Sequence, residues 1–167
     1  MTSRIGVVTA PIRVGVDNPT EREAMPDQVA IASTVVEATK EEVWEALTDP
    51  DLIRRYMFGT EVSTDWEEGS PISWKGEWNG RPYQDKGTVL EVKPHRVLKY
   101  SHFSPLSGMA DSPENYHTVT IEIGDDGSTT TVHLSQDNNE TPEAREHSAA
   151  NWQSMLDGLK DVVEARV

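Results

Sequence analysis

The chain has 167 residues, of which 35% are hydrophobic, and this is enough to bury one domain-sized core. It contains no cysteine, which excludes a disulfide framework, a thiolate metal site and a cysteine nucleophile. The formal net charge of -14 would repel phosphate backbones and anionic lipids, so we expect neither nucleic acid nor a membrane surface as a partner.

Residues 1–28 are predicted to be an N-terminal extension, flexible or carrying one extra strand, ahead of a domain at residues 29–167. Prolines interrupt this extension, whereas alternating apolar residues could form the strand: Ile12, Val14 and Val16. Its apolar clusters are too short for a membrane span and do not resemble a signal-peptide core. We therefore predict a cytoplasmic protein without a membrane span.

Residues 29–37 are rich in β-branched side chains and predict a first strand. Thr39 and Glu42 then form a capping box, and Asp49 followed by Pro50 marks a second helix start. Two short helices are therefore predicted directly after the first strand. Their core residues are expected to be Val43, Ala46, Leu47, Leu52, Ile53 and Tyr56.

After Gly59 the hydrophobic period changes from near 3.6 to 2, which predicts an antiparallel meander. Asn79-Gly80 and Asp126-Gly127 both predict two-residue hairpin turns, and residues 93–96 predict a weaker turn. With these turns, one face of the sheet collects apolar residues: Ile72, Trp74, Trp78, Tyr83, Val89, Leu98, Tyr100, Val119, Ile121, Val132 and Leu134. The other face is polar, apart from Leu90, Val92, Val97 and Phe103.

A long helix is predicted over residues 141–167, with Thr141 as its N-cap and Pro142 at its first position. About 25 residues at about 1.5 Å each would cross the whole sheet. One stripe of this helix is apolar and should cover the apolar face of the sheet: Trp152, Met155, Leu156, Leu159 and Val163. Gly158 would either allow its backbone to approach the sheet closely or have no structural role.

The same register predicts a polar row on the inner face, with His102 opposite His117 and His117 opposite Gln136. Asp85 would lie diagonal to His102. The row could be a structural hydrogen-bond network, a site that orients a ligand, or an acid–base site using His102 or His117 with Asp85. No metal site is expected. The loop at residues 104–115 would be either a lid over the pocket or a disordered connection.

The order of a strand, two short helices, a meander and one long helix resembles the helix-grip fold of the START-like (SRPBCC) superfamily. Three strings are similar to the C-terminal-domain family of the heat-shock-protein-90 ATPase activator: VWEALTDP, GTVLEVKPHRVLKY and NWQSMLDGLKDVVE. The resemblance covers roughly residues 29–165. It implies an α+β fold in which a curved antiparallel sheet wraps around the C-terminal helix.

The resemblance further implies a cavity between that helix and the sheet, used by relatives for lipids, polyketides and other apolar molecules. We therefore predict a protein without a cofactor that binds a small apolar or amphipathic ligand. A polyketide cyclase/dehydratase-like enzyme and a chaperone ATPase stimulator, with a chaperone as partner, are the alternatives. The predicted ligand-binding residues are Trp74, Trp78, Tyr83, Tyr100, His102, His117, Gln136, Trp152, Met155, Leu156 and Leu159.

Overall fold

The computed structural model describes residues 28–165, except for the side chain of Trp78. The possible strand at Ile12, Val14 and Val16 lies outside these residues, as do the last two residues of the predicted long helix. The strands are β1 (Ala30–Val36), β2 (Glu61–Ser63), β3 (Pro71–Trp78), β4 (Arg81–Lys93), β5 (Val97–His102), β6 (His117–Asp125) and β7 (Thr130–Gln136). The helices are α1 (Lys40–Thr48), α2 (Pro50–Tyr56) and α3 (Pro142–Glu164).

The seven strands form one antiparallel sheet in the order β1-β7-β6-β5-β4-β3-β2. The apolar stripe of α3 packs on the inner face of this curved sheet, and α1 and α2 complete the core. The predicted α+β helix-grip architecture is confirmed. The short strand β2, at the opposite edge from β1, was not predicted from the sequence.

All three helix starts are where their capping residues predict them. Thr39 accepts a hydrogen bond from the Glu42 amide, and the Glu42 carboxylate accepts one from the Thr39 amide, so the capping box is complete. Asp49 caps α2 and Thr141 caps α3. These starts depend on local hydrogen bonds, which explains why the sequence predicts them well.

The turn at Asn79-Gly80 has the predicted register, with Trp78 paired to Arg81. The β6–β7 connection does not, because Asp125 pairs with Thr130 and leaves a loop of four residues, 126–129. The Asp126 carboxylate accepts hydrogen bonds from the amides of Ser128 and Thr129 and from the Thr129 hydroxyl. This side-chain cap stabilises the longer loop and shifts the pairing by two residues, so each side chain keeps its predicted face.

The hydrogen bonds from residues 128 and 129 hold the pKa of Asp126 below its usual value. A carboxyl group with a lowered folded-state pKa stabilises the fold above its unfolded pKa and loses this contribution as the pH falls through the folded value. Asp126→Asn is therefore expected to lower the free energy of unfolding at pH 7, and the gap to wild type should shrink as the pH falls. Urea unfolding of both proteins at several pH values measures this gap; a constant gap would contradict the prediction.

A β-bulge lies between Val89 and Glu91, where the β4–β5 pairing shifts by one residue. The extra residue is Leu90, which is exposed, and beyond it Val92 is opposite Leu98 and packs against the core. The bulge therefore explains why Leu90 and Val92 break the simple alternation of apolar and polar residues.

The free edge of β1 is covered by polar side chains of α3. Gln153 hydrogen-bonds both the amide and the carbonyl of Ser33, and Lys160 donates to the Val35 carbonyl. Glu164 accepts from the amide that follows the strand, at Glu37. An uncovered edge would be free to pair with another chain, so this row of contacts protects the sheet.

Gly158 allows a close helix contact, but its partner is α2 and not the sheet. A Cβ at this position would be 3.1 Å from the Cβ of Tyr56. The Tyr56 hydroxyl in turn donates to the Ala46 carbonyl of α1 at 2.7 Å. The prediction of a close backbone approach was correct, whereas the predicted partner was wrong.

Candidate functional site

A cavity of about 70 Å³ lies between the sheet, α3 and the segment that follows α2. Its walls come from strands β3, β4 and β5, from Trp152 of α3, and from two residues between α2 and β2. The lining residues are Met57, Thr60, Trp74, Tyr83, Asp85, Tyr100, His102 and Trp152. Four of these eight side chains are aromatic, and only Asp85 and His102 can carry a charge near neutral pH.

Asp85 and His102 form a hydrogen-bonded pair at the polar end of the cavity. The Nε2 atom of His102 is 2.8 Å from Oδ2 of Asp85, and the two side chains are 23% and 16% exposed. The other atom of each group, Oδ1 of Asp85 and Nδ1 of His102, is buried and has no hydrogen-bond partner among the described residues. Such a pair can orient the imidazole in the cavity wall.

The pair exists because β3, β4 and β5 are adjacent and Gly87 of β4 lies against the backbone of Ser101 and His102 in β5. Trp74 of β3 lies opposite Asp85 of β4 in the sheet. The centroid of the Trp74 ring is 5.0 Å from that of the His102 ring, in an edge-on arrangement. A Cβ on Gly87 would lie 1.8 Å from the Ser101 carbonyl oxygen. Only glycine at position 87 therefore lets β4 come this close to β5.

A second glycine, Gly76, shapes the part of the cavity wall that Tyr83 forms. Gly76 pairs with Tyr83, and a Cβ at position 76 would be 2.6 Å from the Tyr83 hydroxyl. The tyrosine ring therefore crosses over the glycine, and its hydroxyl lies 2.6 Å from the hydroxyl of the buried Thr60. Gly76 thus enables the contact that connects β4 to the segment after α2.

A smaller void of about 20 Å³ lies deeper in the core, between the first cavity and Met155. The two spaces share Met57, Trp74 and Tyr100 as wall residues. Methionine is unbranched and flexible, so Met57 is the wall residue that can most easily change shape. Burial raises the pKa of Tyr100 well above its usual value, and its phenol is therefore neutral at physiological pH.

The structure brings together part of the predicted polar row and separates the rest. His102 is opposite His117 as predicted, but Gln136 is opposite Val119 because of the four-residue loop after β6. The Gln136 side chain accepts a hydrogen bond from the Trp152 indole at 2.7 Å. His117 has its Nδ1 atom 2.9 Å from the Asp137 carbonyl oxygen. Neither His117 nor Gln136 lines the cavity.

The predicted ligand-binding residues other than His117 and Gln136 fall into four groups. Five line the cavity: Trp74, Tyr83, Tyr100, His102 and Trp152. Met155 lines the smaller void, whereas Leu156 and Leu159 are fully buried core residues that line neither space. The side chain of Trp78 lies outside the described part of the structure. Asp85, a candidate acid–base residue, also lines the cavity, where it is hydrogen-bonded to His102.

Met57 and Thr60 also line the cavity, although the sequence did not single them out as site residues. Both follow α2, where Phe58 and Gly59 have positive φ angles of 56° and 83°. The chain turns sharply at these two residues and returns Thr60 to the core. An apolar pair followed by glycine at a helix end is the signal that indicates such a reversal.

The loop at residues 104–115 does not line the cavity. It packs on the opposite face of the sheet, where Lys86 forms an ion pair with Asp111 and the rings of Phe103 and Tyr116 stack at 5.1 Å. Asn138 also donates hydrogen bonds to the carbonyls of Glu114 and Tyr116. This cover explains why Phe103, on the polar face, is only 3% exposed.

Two negative findings limit the chemistry of the described residues. No group of three His, Cys, Asp or Glu side chains between residues 28 and 165 is arranged to hold a metal ion. Across the same part of the chain, none of the helices has the length and hydropathy needed to cross a membrane.

The fold and sequence were compared with known proteins. Residues 37–164 match the family described as Activator of Hsp90 ATPase homolog 1-like protein. No curated protein matches the chain. A solution structure of ChR145 from Cytophaga hutchinsonii is 52% identical, with a TM-score of 0.73, over 83% of this chain and 94% of that one.

More distant structures share the fold. The Aha1 dimer from Colwellia psychrerythraea is 21% identical with a TM-score of 0.64, over 81% of this chain and 96% of that one. CalU16 from Micromonospora echinospora is 23% identical with a TM-score of 0.64, over 81% of this chain and 75% of that one. The family match covers most of the described residues, and it agrees with the resemblance found in the sequence. The chain therefore belongs to the family of Activator of Hsp90 ATPase homolog 1-like proteins.

Proposed function

We propose that this domain binds a small amphipathic molecule and places the polar head of that molecule beside Asp85 and His102. The observation that carries the proposal is a carboxylate–imidazole pair in the wall of a cavity that is otherwise largely aromatic. Cavities with apolar walls and a few convergent polar groups are the usual form of small-molecule sites.

The pair is difficult to explain as part of an ordinary core. A buried acceptor without a partner costs about 1–3 kcal/mol, and removing charge from water adds to this cost. Apolar side chains at positions 85 and 102 could pack against Trp74 without such a cost. A polar head group in the cavity would lie against this pair, which gives the polar pair a reason to be there.

The size of the cavity limits what can enter it without rearrangement. An apolar cavity of about 150 Å³ can hold benzene, and typical ligand pockets are about 300–1,000 Å³. At about 70 Å³, this cavity admits a head group of a few heavy atoms. A longer apolar body would displace Met57 and join the two spaces, or extend over the half-buried Trp152 at the rim.

Binding can be measured by NMR with butylamine, 1-butanol and pentanoate, because two tryptophans with described side chains, Trp74 and Trp152, line the cavity. We expect at least one compound to shift the indole N–H signals of Trp74 and Trp152 saturably. Met57→Trp fills the cavity and should weaken this binding about tenfold or more, since the ligand must then displace a packed ring.

Phe58→Trp is the matched control, since residue 58 is 74% exposed and the substitution adds bulk outside the cavity. It should bind like the wild type. If Met57→Trp does not fold, the smaller Met57→Phe serves in its place. Equal shifts in the wild type and the cavity-filled variant, or no shift by any of the three compounds, would contradict the proposed function.

A further inference from the structure

We infer that the head group held by Asp85 and His102 is a protonated amine that still carries N–H donors. This inference rests on the proposed function and names the chemistry of the ligand. It follows from the lack of a free donor in this pair, the charge of the cavity walls, their aromatic side chains and the small volume.

The first step is a count of donors and acceptors. An ionised carboxylate can only accept, so the Nε2 atom of His102 must donate to Asp85 across the 2.8 Å contact. In a neutral imidazole the remaining atom, Nδ1, is then an acceptor. Neither group of the pair therefore has a hydrogen left to donate, because the one N–H of the neutral ring is used by Asp85. A polar head beside this pair must itself supply the donors, and a primary ammonium has three hydrogens to donate whereas a hydroxyl has one.

The second step is charge. Among residues 28–165, no lysine or arginine lines the cavity, so the carboxylate of Asp85 gives it a negative charge when His102 is neutral. The lysine next in sequence, Lys86, points to the opposite face and is paired with Asp111. The chain as a whole has a net charge of -14, which raises the local concentration of cations. A carboxylate ligand would be repelled, and an ammonium ligand attracted.

The third step is the shape of the aromatic walls. Trp74, Tyr83, Tyr100 and Trp152 surround the same space as the acidic pair. Tryptophan and tyrosine faces attract cations, most strongly where water is excluded. Quaternary ammonium heads also favour aromatic walls, but they have no N–H to donate and are bulkier than a primary ammonium. The lack of a free donor in the Asp85–His102 pair and the volume of about 70 Å³ therefore favour the smaller head with its own N–H groups.

The test is a titration of the full chain, at one pH and ionic strength, with four compounds that share a butyl body. They are butylamine, 1-butanol, pentanoate and butyltrimethylammonium, read at the indole signals of Trp74 and Trp152. We expect butylamine to bind about tenfold more tightly than 1-butanol, as cation–π and charge-assisted contacts together suggest. Pentanoate and butyltrimethylammonium should bind more weakly than butylamine.

Asp85→Asn keeps the shape of the side chain and removes its charge. It should reduce the preference for butylamine over 1-butanol to about threefold or less. Asp161→Asn makes the same change in net charge on an exposed position of α3 and should keep the wild-type preference. The wild-type titrations remain decisive if Asp85→Asn does not fold.

Two outcomes separate this inference from the function on which it rests. If 1-butanol or pentanoate shifts the same tryptophans at equal or lower concentration than butylamine, the cavity binds ligands but the amine inference is wrong. Tighter binding of pentanoate would indicate a protonated His102 that donates through Nδ1. If none of butylamine, 1-butanol and pentanoate binds, the proposed function itself fails, and the inference fails with it.

Discussion

Gly87→Ala is expected to lower the free energy of unfolding by about 3 kcal/mol, the upper part of the range for overpacked sites. The new Cβ would lie 1.8 Å from the Ser101 carbonyl oxygen and 3.2 Å from the His102 amide nitrogen. These are backbone atoms, so the overlap can be relieved only if β4 and β5 separate. Urea unfolding followed by tryptophan fluorescence measures the loss.

Gly124→Ala is the matched control, because Gly124 also lies in a strand and has no atom within 4 Å of a Cβ at its position. Alanine there should be neutral or slightly stabilising. The Gly87 variant should also weaken any binding at Asp85 and His102, since His102 lies on the displaced strand. Similar stabilities of the two alanine variants would show that the close approach of β4 to β5 has little energetic weight.

Leu159→Ala is expected to lower the free energy of unfolding by about 2–5 kcal/mol, as for other buried leucines replaced by alanine. Leu159 is 0% exposed and lies on the stripe of α3 that packs against the core. It lines neither the cavity nor the smaller void, so its loss removes packing that no ligand would replace. Thermal and urea unfolding should both show the decrease.

Ser154→Ala, on an exposed position of the same helix, should change the free energy of unfolding by less than about 0.5 kcal/mol. Comparing Leu159→Ala with Ser154→Ala separates the effect of helix propensity on stability from the effect of packing α3 on the sheet. A loss below about 1 kcal/mol for Leu159→Ala would show that the helix can repack at this position, and would weaken the view that α3 is a rigid cover.

Features that depend on neighbouring residues could be predicted from the sequence. The capping box at Thr39 and Glu42 and the turn at Asn79-Gly80 are formed by local hydrogen bonds and by the backbone preferences of a few residues. The alternation of apolar and polar residues then assigned each strand to a face. Because a two-residue shift preserves that alternation, the faces were right even where the β6–β7 register was wrong.

The site could be predicted only in part. His102 opposite His117 follows from strand pairing, and the cavity contains five of the eleven residues predicted to bind ligand. Gln136 was misplaced because the side-chain bonds of Asp126 lengthened a loop that the sequence Asp-Gly predicts to be short. Met57 and Thr60 were missed because the chain reversal at Phe58 and Gly59 brings them to the sheet from a distant part of the sequence.

The sequence by itself thus determined the elements, their faces and the helix that covers the sheet, because periodicity and caps are local and repeat over many residues. Only the tertiary structure decided that Asp85 hydrogen-bonds His102 and that Trp152 donates a hydrogen bond to Gln136. It also decided that a cavity of about 70 Å³ is left beside the Asp85–His102 pair. A cavity is the small space left after two layers have packed. Its volume and walls depend on side-chain conformations and close approaches, such as that at Gly87, which no local pattern specifies.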